Sequence, residues 1–248
     1  MSLPEYPDFA LHRSDTGVLT VRLHADGGPA VLSERNHRDF PRLLRDIAED
    51  RDNRVLVITG TGDRFMTEMR MVGERQSHQP AQWDEIYWEG RQVLRTYADL
   101  PMPVVAAING PATIHSEWVL LADITIAADT AAFQDSSHLS GGVVPGDGVH
   151  VVWEELLGVN RARYAALTEQ RIDAADALRL GMVNEVLPPA DVLPRALELA
   201  EQLAARPTLL LRLTPLALRQ RLAARLDAGT TLGMALEGLT VADFPYRP

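Results

Sequence analysis

Hydrophobic and polar positions divide the chain into alternating strand-like and helix-like stretches. Val18 to His24 alternates with a period of two, and Asn36 to Asp50 then places Phe40, Leu43, Leu44 and Ile47 on one helical face. Arg54 to Gly60 carries Val-Leu-Val-Ile-Thr, a nearly continuous β-branched run of the kind found where a strand is covered on both faces. Ile86 to Leu100 reads as a helix, Pro103 to Asn109 as a second buried strand, Glu117 to Ala122 as a short helix and Asp123 to Ala128 as a further strand. Helices follow at Asn160 to Thr168 and Ala174 to Leu180, then a strand at Val183 to Val186. Strands that alternate with helices imply parallel crossovers in an α/β fold. From Ala190 onward the pattern is helical nearly to the end, with Pro207 and Pro215 expected as breaks.

Composition narrows the class. The 248 residues, 46% of them hydrophobic, suffice for a sizeable core. No stretch approaches the ~18 apolar residues of a membrane span, and the opening Met-Ser-Leu-Pro-Glu-Tyr-Pro-Asp has neither the basic nor the apolar part of a secretory signal. A cytoplasmic location is the expectation. The absence of cysteine excludes disulfides and thiolate catalysis, and a net charge of −10 argues against non-specific nucleic-acid binding. A small-molecule partner is expected instead, with no nucleic acid and no membrane.

The candidate chemistry lies in one glycine-punctuated loop, Phe133-Gln-Asp-Ser-Ser-His138-Leu-Ser-Gly-Gly-Val-Val-Pro145-Gly-Asp147-Gly-Val-His150. A neutral imidazole, with an ordinary pKa of about 6.5, takes a proton from water, and a carboxylate on its other nitrogen fixes the tautomer. His138 and Asp147 read as such a pair. Ser136, Ser137 and Ser140 surround His138 and leave an acyl-enzyme route open, although no Gly-x-Ser-x-Gly elbow supports it. A zinc site would depend wholly on tertiary placement, because the histidines lack i, i+4 spacing and cysteines are absent. His12, His24, His37 and His78 read as exposed or packing residues, and His150 as structural.

Four segments in order resemble the crotonase (enoyl-CoA hydratase/isomerase) superfamily: Val55-Leu-Val-Ile-Thr-Gly60 with Phe65, Pro103-Val-Val-Ala-Ala-Ile-Asn109-Gly110, Ala122-Asp123-Ile124 to Phe133, and Pro145-Gly146 with Leu180-Gly-Met-Val-Asn-Glu-Val186. The resemblance implies a ββα spiral core, here residues 1–189, and a C-terminal helical oligomerisation region, residues 190–248. It also implies a homotrimer or dimer of trimers, and a pair of backbone N–H groups that stabilise an enolate.

The departures from that pattern point away from coenzyme A thioesters. Phe65-Met-Thr-Glu68-Met69-Arg70 stands where the family usually has Phe-x-Ala-Gly-x-Asp, and Thr113-Ile-His115-Ser116 replaces a glycine run. His138 occupies the offset from Pro145 at which hydratases carry a catalytic glutamate, and Pro215 falls where a basic residue often meets coenzyme A. Asn109-Gly-Pro-Ala-Thr-Ile-His115-Ser-Glu117, Ala132-Phe-Gln-Asp135, Val144-Pro-Gly-Asp147-Gly and Leu157-Gly-Val-Asn160 are similar to one branch, the β-diketone hydrolases of the 6-oxocamphor hydrolase type. That likeness implies retro-Claisen cleavage of a cyclic β-diketone without cofactor or metal. By it, His138 and Asp147 are the water-activating pair, His115 binds a substrate carbonyl, and Glu237 is an acidic site residue. Leu32 stands in place of a site tryptophan. Leu32, Met66, Met69, Met71, Val72, Tyr87, Trp88 and Trp118 are expected to shape the pocket, while Glu117 sits at the offset of a second hydratase glutamate. A CoA-thioester hydratase or isomerase, or a non-catalytic binding member, is the alternative.

Overall fold

A computed structural model describes residues 4–70 and 80–243. After β1 (Phe9–Arg13), the chain repeats a strand, strand, helix unit. The first consists of β2 (Val18–Leu23), β3 (Ala30–Leu32) and α1 (Glu34–Glu49), and the second of β4 (Val55–Thr59), β5 (Met66–Met69) and α2 (Pro80–Ala98). The third has β6 (Val104–Ile108) and α3 (Glu117–Leu120), with the single bridging residue Ala112 in place of its second strand. The fourth has β7 (Ile124–Ala128), β8 (Ala132–Phe133), α4 (Val149–Leu157) and α5 (Val159–Thr168). β9 (Ile172–Asp173), α6 (Ala174–Leu180), β10 (Glu185–Leu187), α7 (Pro189–Ala204) and α8 (Thr208–Asp243) complete the chain.

The first strand of every unit joins one sheet in the order β1-β2-β4-β6-β7-β10, parallel except for the β1–β2 hairpin. The second strands join a smaller sheet, in which Ala112 bridges Met66 of β5 to Phe133 of β8. Alternation along the central strands serves two cores. Leu56 and Ile58 of β4 enter the main core with Phe40, Leu43 and Leu44 of α1, whereas Val55 and Val57 turn to the opposite face. There Ala196, Ala200 and Ala204 recur every four residues along α7, and their small side chains seat that helix against the sheet. Each large side chain fully withdrawn from water is worth about 1.5–3 kcal/mol, so both faces contribute.

One expectation from the sequence changes. Pro215 does not end a helix: α8 runs unbroken from Thr208 to Asp243 with Pro215 inside it, while Pro207 does separate α7 from α8. Tertiary packing overrides the lost N–H, because Leu211, Pro215 and Arg219 on either side of the break are all buried. Of the C-terminal helices, α7 closes the second core, and α8 packs on α2 and α4. Met71, Val72 and His78 lie outside the described residues, among which no helix is long and apolar enough to cross a membrane.

Arg219 ties α8 to that body. It is 4% exposed and donates to the carbonyls of Tyr97, Leu100 and Met102, while its Nε meets Asp123 Oδ1 at 2.8 Å. Asp123 in turn accepts the Val104 N–H at 2.7 Å, so one guanidinium links α8, the end of α2 and the start of β6. Removing a buried partner leaves the other charge and three carbonyls unmatched. Arg219→Ala is expected to lower stability by about 3–5 kcal/mol, read as a reduced urea midpoint with an unchanged slope.

Candidate active site

Loops and two helices bring five ionisable side chains into one largely buried cluster. His115 precedes α3, and its φ of +45° is a left-handed conformation that few residues with a Cβ adopt. Its ring is stacked on Trp118 at a centroid distance of 5.0 Å, and Trp118 stacks on Phe40 at 4.4 Å. The first residue of α3, Glu117, is 1% exposed and meets His115 Nδ1 at 2.5 Å. His138 lies in the loop after β8, Asp147 in the turn before α4, and Glu237 on α8. Asp147 Oδ2 is 3.4 Å from His138 Nε2 and equally 3.4 Å from His115 Nδ1. Glu237 Oε1 lies 3.6 Å from the same His138 Nε2.

The approach of α8 requires two glycines. A Cβ on Gly146 would stand 2.1 Å from the Gly233 carbonyl oxygen, and one on Gly233 would stand 2.5 Å from that of Gly146. Only bare backbone on both sides lets the loop carrying Asp147 touch the helix carrying Glu237. Asp147 is held further by its Oδ1, which accepts the Val149 N–H at 3.3 Å.

Each protonation state follows from this crowding. Burial alone would lower His115, but Glu117 and then Asp147 carry it up to about 9. Burial likewise opposes a charge on His138, yet Asp147, with bonds to Asp135 and Glu237, holds it well above the usual histidine value. Burial favours a neutral Asp147, and the two imidazoles overcome this and hold its carboxyl well below the usual range. Glu237 is pushed up to about 7, chiefly by burial, and Glu117 is raised for the same reason. The site therefore favours cationic imidazoles around an ionised Asp147, with Glu237 and Glu117 shifted toward their neutral forms.

The structure brings together His115, His138, Asp147, Glu237 and Glu117, but distributes them differently from the sequence reading. The Nδ1 of His138 is engaged by Asp135 at 2.7 Å, whereas Asp147 faces Nε2 across 3.4 Å. Asp147 is thus not the close partner that fixes the ring. The nearer Asp135-x-x-His138 pattern carries the shorter bond. Glu117 engages His115, and its Oε2 and the Oε2 of Glu237 are buried without a hydrogen-bond partner among the described residues.

Around this cluster, Leu32 is buried at the end of β3 and pairs with Met69 of β5. Met69 is 40% exposed and Trp88 is 58% exposed on α2. The Arg70 N–H donates to the Leu32 carbonyl at 2.7 Å. N–H groups alternate in direction along a strand, so that of Met69 points away from β3. His37 was read as a packing residue and lies beside the cluster, its ring 5.8 Å from that of His115 and its Nδ1 3.0 Å from Glu89. His150 is lowered by burial, and its Nδ1 has no partner among the described residues.

Several alternatives lose ground on this geometry. Ser136 and Ser140 donate to main-chain carbonyls, and Ser137 lies 3.4 Å from His138 Nδ1, the nitrogen that Asp135 holds more closely. Ligand atoms of His115, Glu117 and Asp147 lie within 4.8 Å of one another and are the group among the described residues that could close on a metal ion. In that group His115 Nδ1 is engaged by Glu117 at 2.5 Å. All 24 basic residues are arginine, so an imine between a lysine and a substrate ketone is excluded.

Comparison with known proteins is consistent with the repeated ββα architecture. The family model for enoyl-CoA hydratase/isomerase matches residues 13–241. A β-diketone hydrolase from the cyanobacterium Anabaena sp. PCC 7120, solved bound to (S)-3-oxocyclohexyl acetic acid, superposes with a TM-score of 0.94 at 43% identity and covers 98% of this chain and 99% of its own. An enoyl-CoA hydratase/isomerase from Mycobacterium paratuberculosis superposes at 0.85 with 26% identity, covering 95% and 94%. Among curated relatives, the carnitinyl-CoA dehydratase of Citrobacter koseri is 33% identical over 201 residues, 79% of this chain and 70% of that protein. The short-chain-enoyl-CoA hydratase of Clostridium acetobutylicum is 26% identical over 85% of this chain and 80% of its own. With its repeating units, its two sheets and a family model that spans nearly its whole length, the chain belongs to the enoyl-CoA hydratase/isomerase family, the crotonase superfamily.

Proposed function

We propose that this chain is a cofactor-independent hydrolase that cleaves a C–C bond of a cyclic β-diketone to give a keto acid. The observation that carries the reading is the pair of imidazoles gathered around Asp147, with Glu237 on the reactive nitrogen of His138. Such a cluster can activate water and hold an enolate at once. The likeness to the Anabaena β-diketone hydrolase supports the same chemistry. Joining the carboxyl carbon of that enzyme's ligand to the far α-carbon of its ketone gives a bicyclic 1,3-diketone. The carbon between the two carbonyls is then a bridgehead and cannot enolise toward them, so both carbonyls stay electrophilic.

In the reaction, neutral His138 takes a proton from water at Nε2, and the hydroxide oxygen bonds to one carbonyl carbon. Glu237, whose Oε2 is unengaged, helps to hold that water. The tetrahedral intermediate collapses, the C–C bond breaks, and its electron pair moves into the second carbonyl as an enolate. His115 binds the enolate oxygen through Nε2–H, because Glu117 and Asp147 occupy the Nδ1 side. The Met69 N–H is a second donor, and each such contact is worth about 2.7–4 kcal/mol in oxyanion holes. The His138 imidazolium then returns its proton to carbon, which balances the hydrolysis.

A CoA-thioester hydratase or isomerase is the second reading, favoured by the family's many hydratases and by the buried Glu117. We also propose a homotrimer or dimer of trimers. Leu209, Leu213, Leu218, Leu232 and Leu239 on α8 are more than half exposed, apolar side chains that other copies would cover.

Four outcomes are expected. In assays of mono- and bicyclic 1,3-diketones beside crotonyl-CoA, ultraviolet loss and acid formation should appear only with a diketone. Hydration of crotonyl-CoA alone would support the second reading, and ligand binding without turnover a non-catalytic member. His138→Ala should lower kcat by at least about 10²-fold with little change in KM, whereas His115→Ala should raise KM as well as lower kcat. The rate of the unsubstituted enzyme should climb as pH passes well above 6.5, when His138 yields its base form, and fall beyond about 9, when His115 loses its charge. The His115 shift also stabilises the fold, fully below the unfolded value of 6.5 and progressively less as pH rises through about 9. A rate optimum below 6.5 would contradict these assignments. Light scattering should give at least three times the mass of one chain at micromolar concentration, and a monomer would refute assembly through α8.

A further inference from the structure

An imidazole that exchanges protons at one nitrogen needs the other held. The close contact to His138 is the 2.7 Å bond between Nδ1 and Asp135 Oδ1, on the opposite side of the ring from Asp147 and Glu237. Asp135 is 8% exposed, and the same oxygen also meets the His138 N–H at 3.4 Å and Ser137 Oγ at 3.3 Å. Three donors from two successive residues converge on it, which fixes the backbone and the ring of His138 together. The carboxylate also borders a cavity of about 80 Å³ lined by Pro145, Val149, His150, Trp153 and Ala162.

We propose that Asp135 is the positioning residue of the catalytic histidine. It holds the Nδ1–H tautomer, leaves the Nε2 lone pair for water, and so places Asp147 on the reacting side of the ring. The charged and titratable groups facing His138 are Asp135 from its own loop, Asp147 from the turn before α4 and Glu237 from α8, with His115 beyond Asp147. Among the described residues, only Asp135 addresses Nδ1 as a carboxylate. The kinetic consequences rest on the hydrolase reading, whereas the tautomer does not.

The test therefore has a spectroscopic and a kinetic arm. Ring ¹⁵N shifts of His138, measured without substrate at a pH where the ring is neutral, should place the proton on Nδ1. Asp135→Ala should move it to Nε2, toward Asp147 and Glu237. The isosteric Asp135→Asn keeps the acceptor but removes its charge, and should lower the His138 titration midpoint by about 1 pH unit or more. In turnover, Asp135→Ala should lower kcat by about 10²-fold or more with KM nearly unchanged, as for other residues that hold a catalytic imidazole. Added formate, entering through the adjoining cavity, should restore part of that loss. A proton on Nε2 in the unsubstituted protein, an unchanged midpoint in Asp135→Asn, or kcat in Asp135→Ala within threefold of normal would overturn the proposal. If Asp135→Ala does not fold, the asparagine variant decides it through the midpoint. If the unsubstituted protein turns over no diketone, the hydrolase reading fails and the ring shifts still decide the role of Asp135.

Discussion

Neutralisation of charge inside a largely buried cluster is the constraint on which this site depends. An unpaired carboxylate or imidazolium buried to this degree costs several kcal/mol, and His115, His138, Asp147, Glu237 and Glu117 are each largely withdrawn from water. They coexist because Asp147 stands between two cations while Glu117 and Glu237 are raised toward their neutral forms. None of these protonation states belongs to one residue alone. The same coupling raises both imidazoles, and the proposed water activation by His138 and enolate binding by His115 rest on it.

The fold meets that constraint by convergence from distant parts of the chain. The turn between Ala112 and α3 places His115 under left-handed strain and against Trp118. The loop after β8 supplies His138 with Asp135, and the next turn supplies Asp147. Glu237 arrives from almost one hundred residues further on, along a helix anchored at Arg219 and seated where Gly146 meets Gly233. The result is a packed cluster of buried side chains, the feature on which the proposed compact diketone substrate rests.

Periodic features of the fold were legible in the sequence. The Val55–Thr59 run and the α1 face announce themselves because both faces of β4 and one face of α1 are buried, and burial leaves a pattern of period two or 3.6. β3, β5, β8 and β9 leave no such pattern, since strands of two to four residues are too short to show a period. The chemistry-bearing residues were visible through one loop and through likeness to a known branch, but their pairing was not. Asp135 was overlooked although it lies three residues before His138, because sequence spacing does not say which nitrogen a carboxylate meets. The His37–Glu89 contact joins α1 to α2, and the Gly146–Gly233 contact joins a loop to α8, so neither has any local signal. Pro215 misled because helix propensity is weaker than the burial of Leu211 and Arg219 beside it.

The central claim is that water is added across a C–C bond, with His138 carrying one proton from the water to the carbon that leaves. Turnover of a bicyclic 1,3-diketone in ¹⁸O-labelled heavy water, followed by mass spectrometry and NMR of the product, tests it most directly. The account predicts a keto acid with one ¹⁸O in its new carboxylate and one deuterium at the carbon released from the broken bond. Consumption of the diketone without ¹⁸O in the carboxylate, or an intact diketone beside a hydrated enoyl thioester, would contradict it.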